Sequence, residues 1–349
     1  MASGGDSFAL FIDSLSRDAQ LSNYCYRCGS SFSTRVFHRV AIIGLVSYAT
    51  YKIGRAFWDH FGRARNTRHR LRSYGQWAVV SGCTSGTGLE YARQLAALGF
   101  DIILMGRRDE ALVALAQELE EMYHVRTVRV LIDFNNGPHI YDDLHELFKD
   151  KDVGILVNNV GVNYDYPQHF TSVPENKLWE LLYVNCAAAT ILSHLVMKTC
   201  MVPKKQGLVV FMSSSSCMYP TPQMACYAAT KKYLEYLAGS LHAEYEKLGI
   251  HVQAIVPFFI STNMARVSPY LSRPGILTPS PSTFVRQALW TFGTTSFTTG
   301  YFPHTIQRWL HYCLPQRVWL YSSILIGSYF RKQLKRELSV DDNIDKENF

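Results

Sequence analysis

Tyr227 and Lys231 stand four residues apart, a spacing that puts both side chains on one face of a helix. A phenol ordinarily titrates at about pKa 10. A neighbouring ammonium favours the phenolate and moves that value down. Such a tyrosine can pass a proton to or from a carbonyl oxygen. Ser214 lies thirteen residues before Tyr227, within Ser213-Ser-Ser-Ser216, and its hydroxyl is a candidate to hold a substrate oxygen. Asn185, in Tyr183-Val-Asn185, is a candidate to support a water relay toward the lysine. An isolated Y-x-x-x-K is more often a surface helix pair; the motifs around this one decide otherwise.

Gly82, Gly86 and Gly88 fall in Ser81-Gly-Cys-Thr-Ser-Gly-Thr-Gly88, between a predicted strand and a predicted helix. Glycine lets the backbone turn sharply and lets a pyrophosphate reach the helix N-terminus, where free N–H groups and the dipole favour negative charge. Gly82, Ser85, Gly86 and Gly88 are therefore candidate cofactor residues. After the second strand an acidic residue would bind the 2′-hydroxyl of NAD. Here the sequence is Met105-Gly-Arg-Arg108, and Arg107 suits a 2′-phosphate, so NADP(H) is expected over NAD. Asp133, ending a third strand, suits the adenine amine. Asn158-Asn-Val-Gly161 ends a fourth. Ligands sit at the carboxyl ends of strands in open α/β sheets, so Asn158 and Gly161 are expected to line the cofactor.

These residues need a scaffold, and the sequence predicts one. Trp77–Ser81 reads as a buried strand, followed by a helix through Leu98. Asp101–Met105, Arg126–Ile132, Val153–Val157 and Val209–Met212 read as further strands, with a helix over Glu110–Tyr123. Strands alternating with helices predict a Rossmann-like, doubly wound parallel sheet with helices on both faces. Residues 1–75 read as an N-terminal extension with an apolar segment and a basic linker. Residues 76–265 form the cofactor-binding domain. Residues 266–349 hold a substrate loop and an aromatic-rich, helical C-terminal extension. Pro269, Pro274, Pro279 and Pro281 predict a loop over Met264–Ser282.

Together these motifs resemble the short-chain dehydrogenase/reductase family over about Gln76 to Thr262. The matching elements are the glycine turn, Asn158 to Gly161, Asn185, and Ser214 with Tyr227 and Lys231. Pro257-Phe-Phe-Ile-Ser-Thr262 resembles the segment that contacts nicotinamide, which adds Pro257 and Thr262 to the cofactor set. The resemblance implies that Tyr227 is the general acid/base, Lys231 holds the nicotinamide ribose, Ser214 orients the carbonyl and Asn185 supports the relay. Within the family, the apolar N-terminal extension and Arg107 are similar to the 17-beta-hydroxysteroid dehydrogenase and very-long-chain 3-ketoacyl-CoA reductase group. That implies a lipophilic steroid or 3-ketoacyl substrate, a homodimer, and a membrane of the mitochondrion or endoplasmic reticulum. One branch of the group has phenylalanine at the tyrosine position and is regarded as inactive. Tyr227 departs from that branch, so the alternative, a scaffold that binds NADP(H) without turnover, does not follow from the resemblance.

Composition limits the remaining options. The chain has 349 residues, 48% of them hydrophobic and 18% charged, enough for a large core and too apolar for global disorder. The net charge of +7 is concentrated at Lys52 to Arg72 and Arg331 to Arg336, beside apolar segments. That favours a membrane surface over a nucleic acid, and no recognition module accompanies the charges. Cys25 and Cys28 form a C-x-x-C pair with no second pair at zinc spacing, so no metal is expected. The apolar run Val40 to Tyr51 is bounded by Arg39 and Lys52. A full span needs about 17 residues or more, so an anchor and an interfacial or docking helix both stay open. Thr305 to Phe330, rich in Trp, Tyr and Leu, reads equally as an interfacial helix pair or as a helix packed on the core.

Overall fold

The apolar runs that begin at Trp77, Val153 and Gly207 are buried along their whole length. A strand covered by helices on both faces requires this. The computed structural model describes residues 32–62, 64–262 and 273–347. The leading segment with Cys25 and Cys28, and residues 263–272 of the proline-rich loop, lie outside the described residues. The chain divides into two compact units, Met1–Ala56 and Phe57–Phe349.

The strands are β1 (Trp77–Ser81), β2 (Asp101–Gly106), β3 (Thr127–Leu131), β4 (Val153–Asn158), β5 (Gly207–Met212), β6 (Ile250–Ile255) and β7 (Phe297–Thr298). They pair in parallel, in the order β3-β2-β1-β4-β5-β6-β7. The helices are α1 (Phe32–Phe61), α2 (Thr67–Arg72), α3 (Gly86–Ala97), α4 (Asp109–Tyr123), α5 (Leu144–Lys149), α6 (the continuous run Glu175–Lys204), α7 (Ala225–Tyr245), α8 (Pro281–Thr291), α9 (Phe302–Cys313) and α10 (Gln316–Glu347).

Side chains alternate across the sheet. Ala78, Val80, Ile102 and Leu104 face a core completed by Tyr91 and Leu95 of α3, Leu112 of α4 and Phe284 of α8. Val79, Ile103, Leu156 and Phe211 face the other core, completed by Phe148 of α5, Leu192 of α6 and Leu234 of α7. The chain runs outward from β1 to β2 and then returns to β4 on the other side. This reversal opens a crevice at the carboxyl ends of β1 and β4, the place where open α/β sheets bind ligands. The doubly wound parallel sheet expected from the sequence is the observed fold.

Three local expectations change. Met264–Ser282 is not loop to its end: Pro281 starts α8, where its missing N–H is no loss, and Ser280 Oγ accepts from Thr283 N at 3.2 Å. Part of the basic linker is the helix α2. Arg70 donates to Trp290 O at 2.8 Å and Phe292 O at 3.1 Å, at the C-terminal end of α8, where cations are favoured. The C-terminal region is two helices, α9 and α10, that pack on the body through His311 and Ser323. Among the described residues, α6 is the helix long and apolar enough to cross a membrane. Half of that window is buried within the protein, and its Leu192 and Val196 join the core. In α1, the described side chains from Phe37 to Arg55 are exposed.

Candidate active site

The glycine turn is held from β4. Gly82 and Gly86 have φ of +67° and +58°, a region that side-chain-bearing residues rarely adopt. A Cβ on Gly82 would stand 2.9 Å from Val160 Cα, and one on Gly88 would collide with Gly82 O and Asn159 Nδ2. Asn159 Nδ2 donates to Ser81 O at 3.1 Å and to Gly82 O at 3.2 Å, while its Oδ1 accepts from Thr87 Oγ1 at 2.7 Å. Ser81 Oγ accepts from the backbone N–H groups of Asn159 and Val160 at 3.0 and 3.2 Å. Ser81 and Asn159 thereby fix the turn that starts α3. Ser85 precedes that helix in extended backbone without a side-chain cap, and no acidic residue stands in its first turn. Its N-terminus can receive an anion.

A cleft of about 420 Å³ runs over this turn, with Gly82, Ser85, Gly86, Arg107, Asp133, Gly161 and Thr262 in its walls. Arg107 is exposed at the cleft. Arg108, its neighbour, is engaged elsewhere: Nη2 donates to Thr84 O at 2.6 Å. Thr262 Cγ2 would lie 3.5 Å from a Cβ on Gly86, so the segment after Pro257 closes over the turn. The bare glycine backbone and the open helix end fit the pyrophosphate of a nicotinamide dinucleotide.

Three expected cofactor residues take supporting places. Asn158 does not line the cleft: the last residue of β4 points into the interior, 2% exposed, and its Nδ2 donates to Ser193 Oγ at 2.9 Å. The next residue, Asn159, faces the cleft instead. Gly88 allows close packing of α3 against the turn. Pro257 is buried and offers its carbonyl to Ser215 N at 2.8 Å.

Lys231 stands behind Gly161 of the cleft wall. A Cβ on Gly161 would stand 3.1 Å from Lys231 Nζ and 3.3 Å from Asn185 Oδ1. Nζ donates to Met212 O at 3.1 Å, and Ser213 Oγ donates to Lys231 O at 2.7 Å. Tyr227, one turn earlier on α7, is buried with Tyr164, Val173 and Leu181. Its ring centroid is 5.7 Å from Lys231 Nζ. Burial pushes the phenol up to about 12, opposed by hydrogen bonding with Ser214. Burial also brings the Lys231 ammonium down to about 8. The expected lowering of the tyrosine by the lysine does not occur: both groups have lost water, and Nζ is turned toward the Met212 carbonyl.

Asn185 occupies a stretch of wider π-helical turn, Tyr183–Ala187, inside α6. Such turns rotate side chains out of the ordinary helical register and recur at functional sites. The glycines, Ser214, Asn185, Tyr227 and Lys231 are all within this one region of the carboxyl edge. Sequence reasoning passed over Asn159, Ser81, Thr230 and His304. Asn159 was legible as part of its motif. His304, whose Nδ1 accepts from Phe258 N at 3.3 Å, had no sequence signal.

The short chain dehydrogenase model matches residues 76–269. The chain is 43% identical over 263 residues to the human "Inactive hydroxysteroid dehydrogenase-like protein 1", covering 75% of this chain and 79% of that protein. It is 36% identical over 243 residues to the "Very-long-chain 3-oxoacyl-CoA reductase" of Anas platyrhynchos, covering 69% and 76%. A solved short-chain dehydrogenase from Sphingobium yanoikuyae, in complex with NADPH, aligns with a TM-score of 0.54 and 25% identity, over 59% of this chain and 80% of that one. A doubly wound parallel sheet, a glycine turn at its β1–β4 crevice and a family match spanning both lead to one assignment: the chain belongs to the short-chain dehydrogenase family of oxidoreductases.

Proposed function

We propose that the chain is an NADP(H)-dependent oxidoreductase that interconverts a lipophilic ketone, of steroid or 3-ketoacyl type, with its secondary alcohol. The observation that carries this reading is the buried pair of Tyr227 and Lys231, whose lysine Nζ stands directly behind Gly161 of the cleft wall. In reduction, Tyr227 Oη gives its proton to the substrate oxygen, and in oxidation it takes one back. Ser214 holds the same oxygen and steadies the charge that grows on it. Lys231 supplies positive charge behind the phenol, and the Met212 carbonyl keeps Nζ in place. When bound, the reduced cofactor supplies the hydride. Gly82, Ser85 and Gly86 would hold its pyrophosphate, Asp133 its adenine, and Arg107 its 2′-phosphate.

The substrate class is supported by the apolar surroundings of Tyr227, which packs in a buried cluster with Tyr164, Val173 and Leu181. The name of the duck relative, a reductase of very-long-chain 3-oxoacyl-CoA, points the same way. The test is consumption of NADPH by purified protein over a panel of hydrophobic ketones, with Tyr227→Phe alongside. Turnover that survives the substitution undiminished sinks the assignment.

A second reading has one observation in its favour, the word "inactive" in the name of the human relative. In it the chain binds NADP(H) and acts as a scaffold. Tight NADPH binding, seen by tryptophan fluorescence, with no turnover on any ketone would favour it. The tyrosine and the complete glycine turn favour the enzyme.

A further inference from the structure

Helix α10 turns its small residues toward the protein and its large apolar residues away from it. Ser323 is buried. A Cβ on Gly327 would stand 2.7 Å from Gln223 Oε1 and 3.4 Å from Pro167 Cβ, and Ser328 Oγ accepts from Gln223 Nε2 at 3.0 Å. On the outer side, Val318, Tyr321, Leu325 and Tyr329 are 40%, 70%, 71% and 66% exposed. They recur at three- and four-residue spacing and so form one stripe. Leu314 (43%) and Leu310 (64%) extend it onto the turn and α9. Scattered exposed apolar residues are normal on a soluble surface, but a continuous stripe of this length calls for a partner.

Charge selects the partner. Arg317 flanks one end of the stripe, and Arg331 and Lys332 flank the other. No Asp or Glu occurs in the sequence between Glu246 and Glu337. An apolar face rimmed by cations, with no acid in its segment, matches a bilayer that carries anionic headgroups. A second copy of the chain would bring the same positive rim and meet repulsion.

The pair also rests on the site. Tyr219 and Gln223 lie in the chain between Ser214 and Tyr227. The Tyr219 ring is 5.0 Å from that of His311 on α9, its Oη donates to Leu314 O at 3.5 Å, and Gln223 holds Ser328. We propose that α9 and α10 form a lipid-facing hood that seats the domain on an anionic bilayer, directly over the loop joining the two catalytic hydroxyls. The hood itself does not depend on the oxidoreductase reading; only the delivery of substrate from the bilayer does.

The test uses the full chain and its triple variant Leu310→Ser, Tyr321→Ser, Leu325→Ser, in flotation with vesicles of phosphatidylcholine alone or with phosphatidylserine. These positions are exposed, and circular dichroism with NADPH binding checks the fold. The native chain is expected to float with the anionic vesicles, and partitioning is expected to fall at least about tenfold in the variant. Because α1 is unchanged in both proteins, the difference reports on the hood. Hydrogen exchange on the native chain gives an independent reading, with protection over residues 314–330 expected on adding vesicles. Equal flotation of the two proteins, flotation of neither, or protection confined to α1 overturns the proposal. So does light scattering that shows a vesicle-free dimer lost in the variant, since a second copy would then cover the stripe. Turnover is read separately with a water-soluble ketone, which the variant is expected to reduce at the native rate. Failure of that assay bears on the catalytic reading and leaves the flotation result standing.

Discussion

Asn185 grips Val162 at both ends of its backbone: Oδ1 accepts from Val162 N at 2.8 Å and Nδ2 donates to Val162 O at 3.0 Å. Nδ2 also donates to Thr230 Oγ1 at 3.1 Å, and that hydroxyl donates to Tyr227 O at 2.7 Å. The exit of β4, the π turn of α6 and the tyrosine helix α7 are thus joined through one amide. Both amide hydrogens are engaged, which makes Asn185 first a positioning residue. Support for a relay toward Lys231 falls to the remaining lone pair of Oδ1.

Asn185→Ala removes three hydrogen bonds at a fully buried position. The expected loss is about 2–4 kcal/mol of stability, from roughly 1 kcal/mol per bond plus the orphaned backbone groups. Urea unfolding measures it. A loss below about 0.5 kcal/mol would mean that the frame is held elsewhere.

Tyr227→Phe keeps the ring and removes the proton. Turnover is expected to fall by about 100-fold or more, while NADPH affinity stays within about threefold, because the phenol is not among the residues lining the cleft. Steady-state kinetics and fluorescence titration separate the two effects. Loss of affinity equal to the loss of rate would place the hydroxyl in binding instead.

The pH profile follows from burial. The phenol stays protonated through neutral pH because its value is raised to about 12, so reduction is expected to be level there. Lys231, lowered to about 8, loses its charge above that point, and reduction is expected to decline with it. Oxidation needs the deprotonated phenol, and its rate is expected to rise with pH. An oxidation rate independent of pH from about 7 to 10 would contradict the assignment of the base.

Acid should loosen the segment that closes over the glycine turn. His304 and His60 are buried, and burial lowers each to about 4 from 6.5. Below pH 6.5 the unfolded chain takes up protons that the folded chain refuses. Stability is therefore lost as pH falls from about 6.5 to about 4, on the order of 3 kcal/mol per histidine at most. Protonation would also put a hydrogen on His304 Nδ1, which now accepts the Phe258 N–H. Thermal unfolding across that range is expected to show the drop, and His60→Gln to lessen its slope. A melting temperature that stays level to pH 4 would refute the assignment.

Much of the scaffold could be read from local runs. Trp77–Ser81 and Val153–Asn158 are apolar throughout because both faces are covered, and Tyr227 and Lys231 share a helix face by spacing alone. What could not be read depends on contacts far apart in sequence. Asn158 and Asn159 are chemically identical, and strand alternation at the end of β4 decides which faces the cleft. The π turn that orients Asn185 has no local signature in Tyr183–Ala187. The upward shift of Tyr227 comes from Tyr164, Val173 and Leu181, which reach it from other elements. Pro281 looked like a breaker, yet with Ser280 as its cap it begins a helix.

Two adjacent arginines divide their labour. Arg108 fastens the glycine turn through Thr84, whereas Arg107 makes no hydrogen bond or ion pair among the described residues. Arg107→Ala is expected to weaken NADPH about 10- to 100-fold and to leave NADH nearly unchanged, as loss of a charge-assisted phosphate contact requires. Equal weakening of both cofactors would give that role to another residue. For Arg108→Ala, losses with both cofactors are expected, together with lower stability. On the proposed reading, cofactor preference is a separable trait. It can drift or be redesigned at one exposed position, while the neighbouring arginine keeps the turn intact.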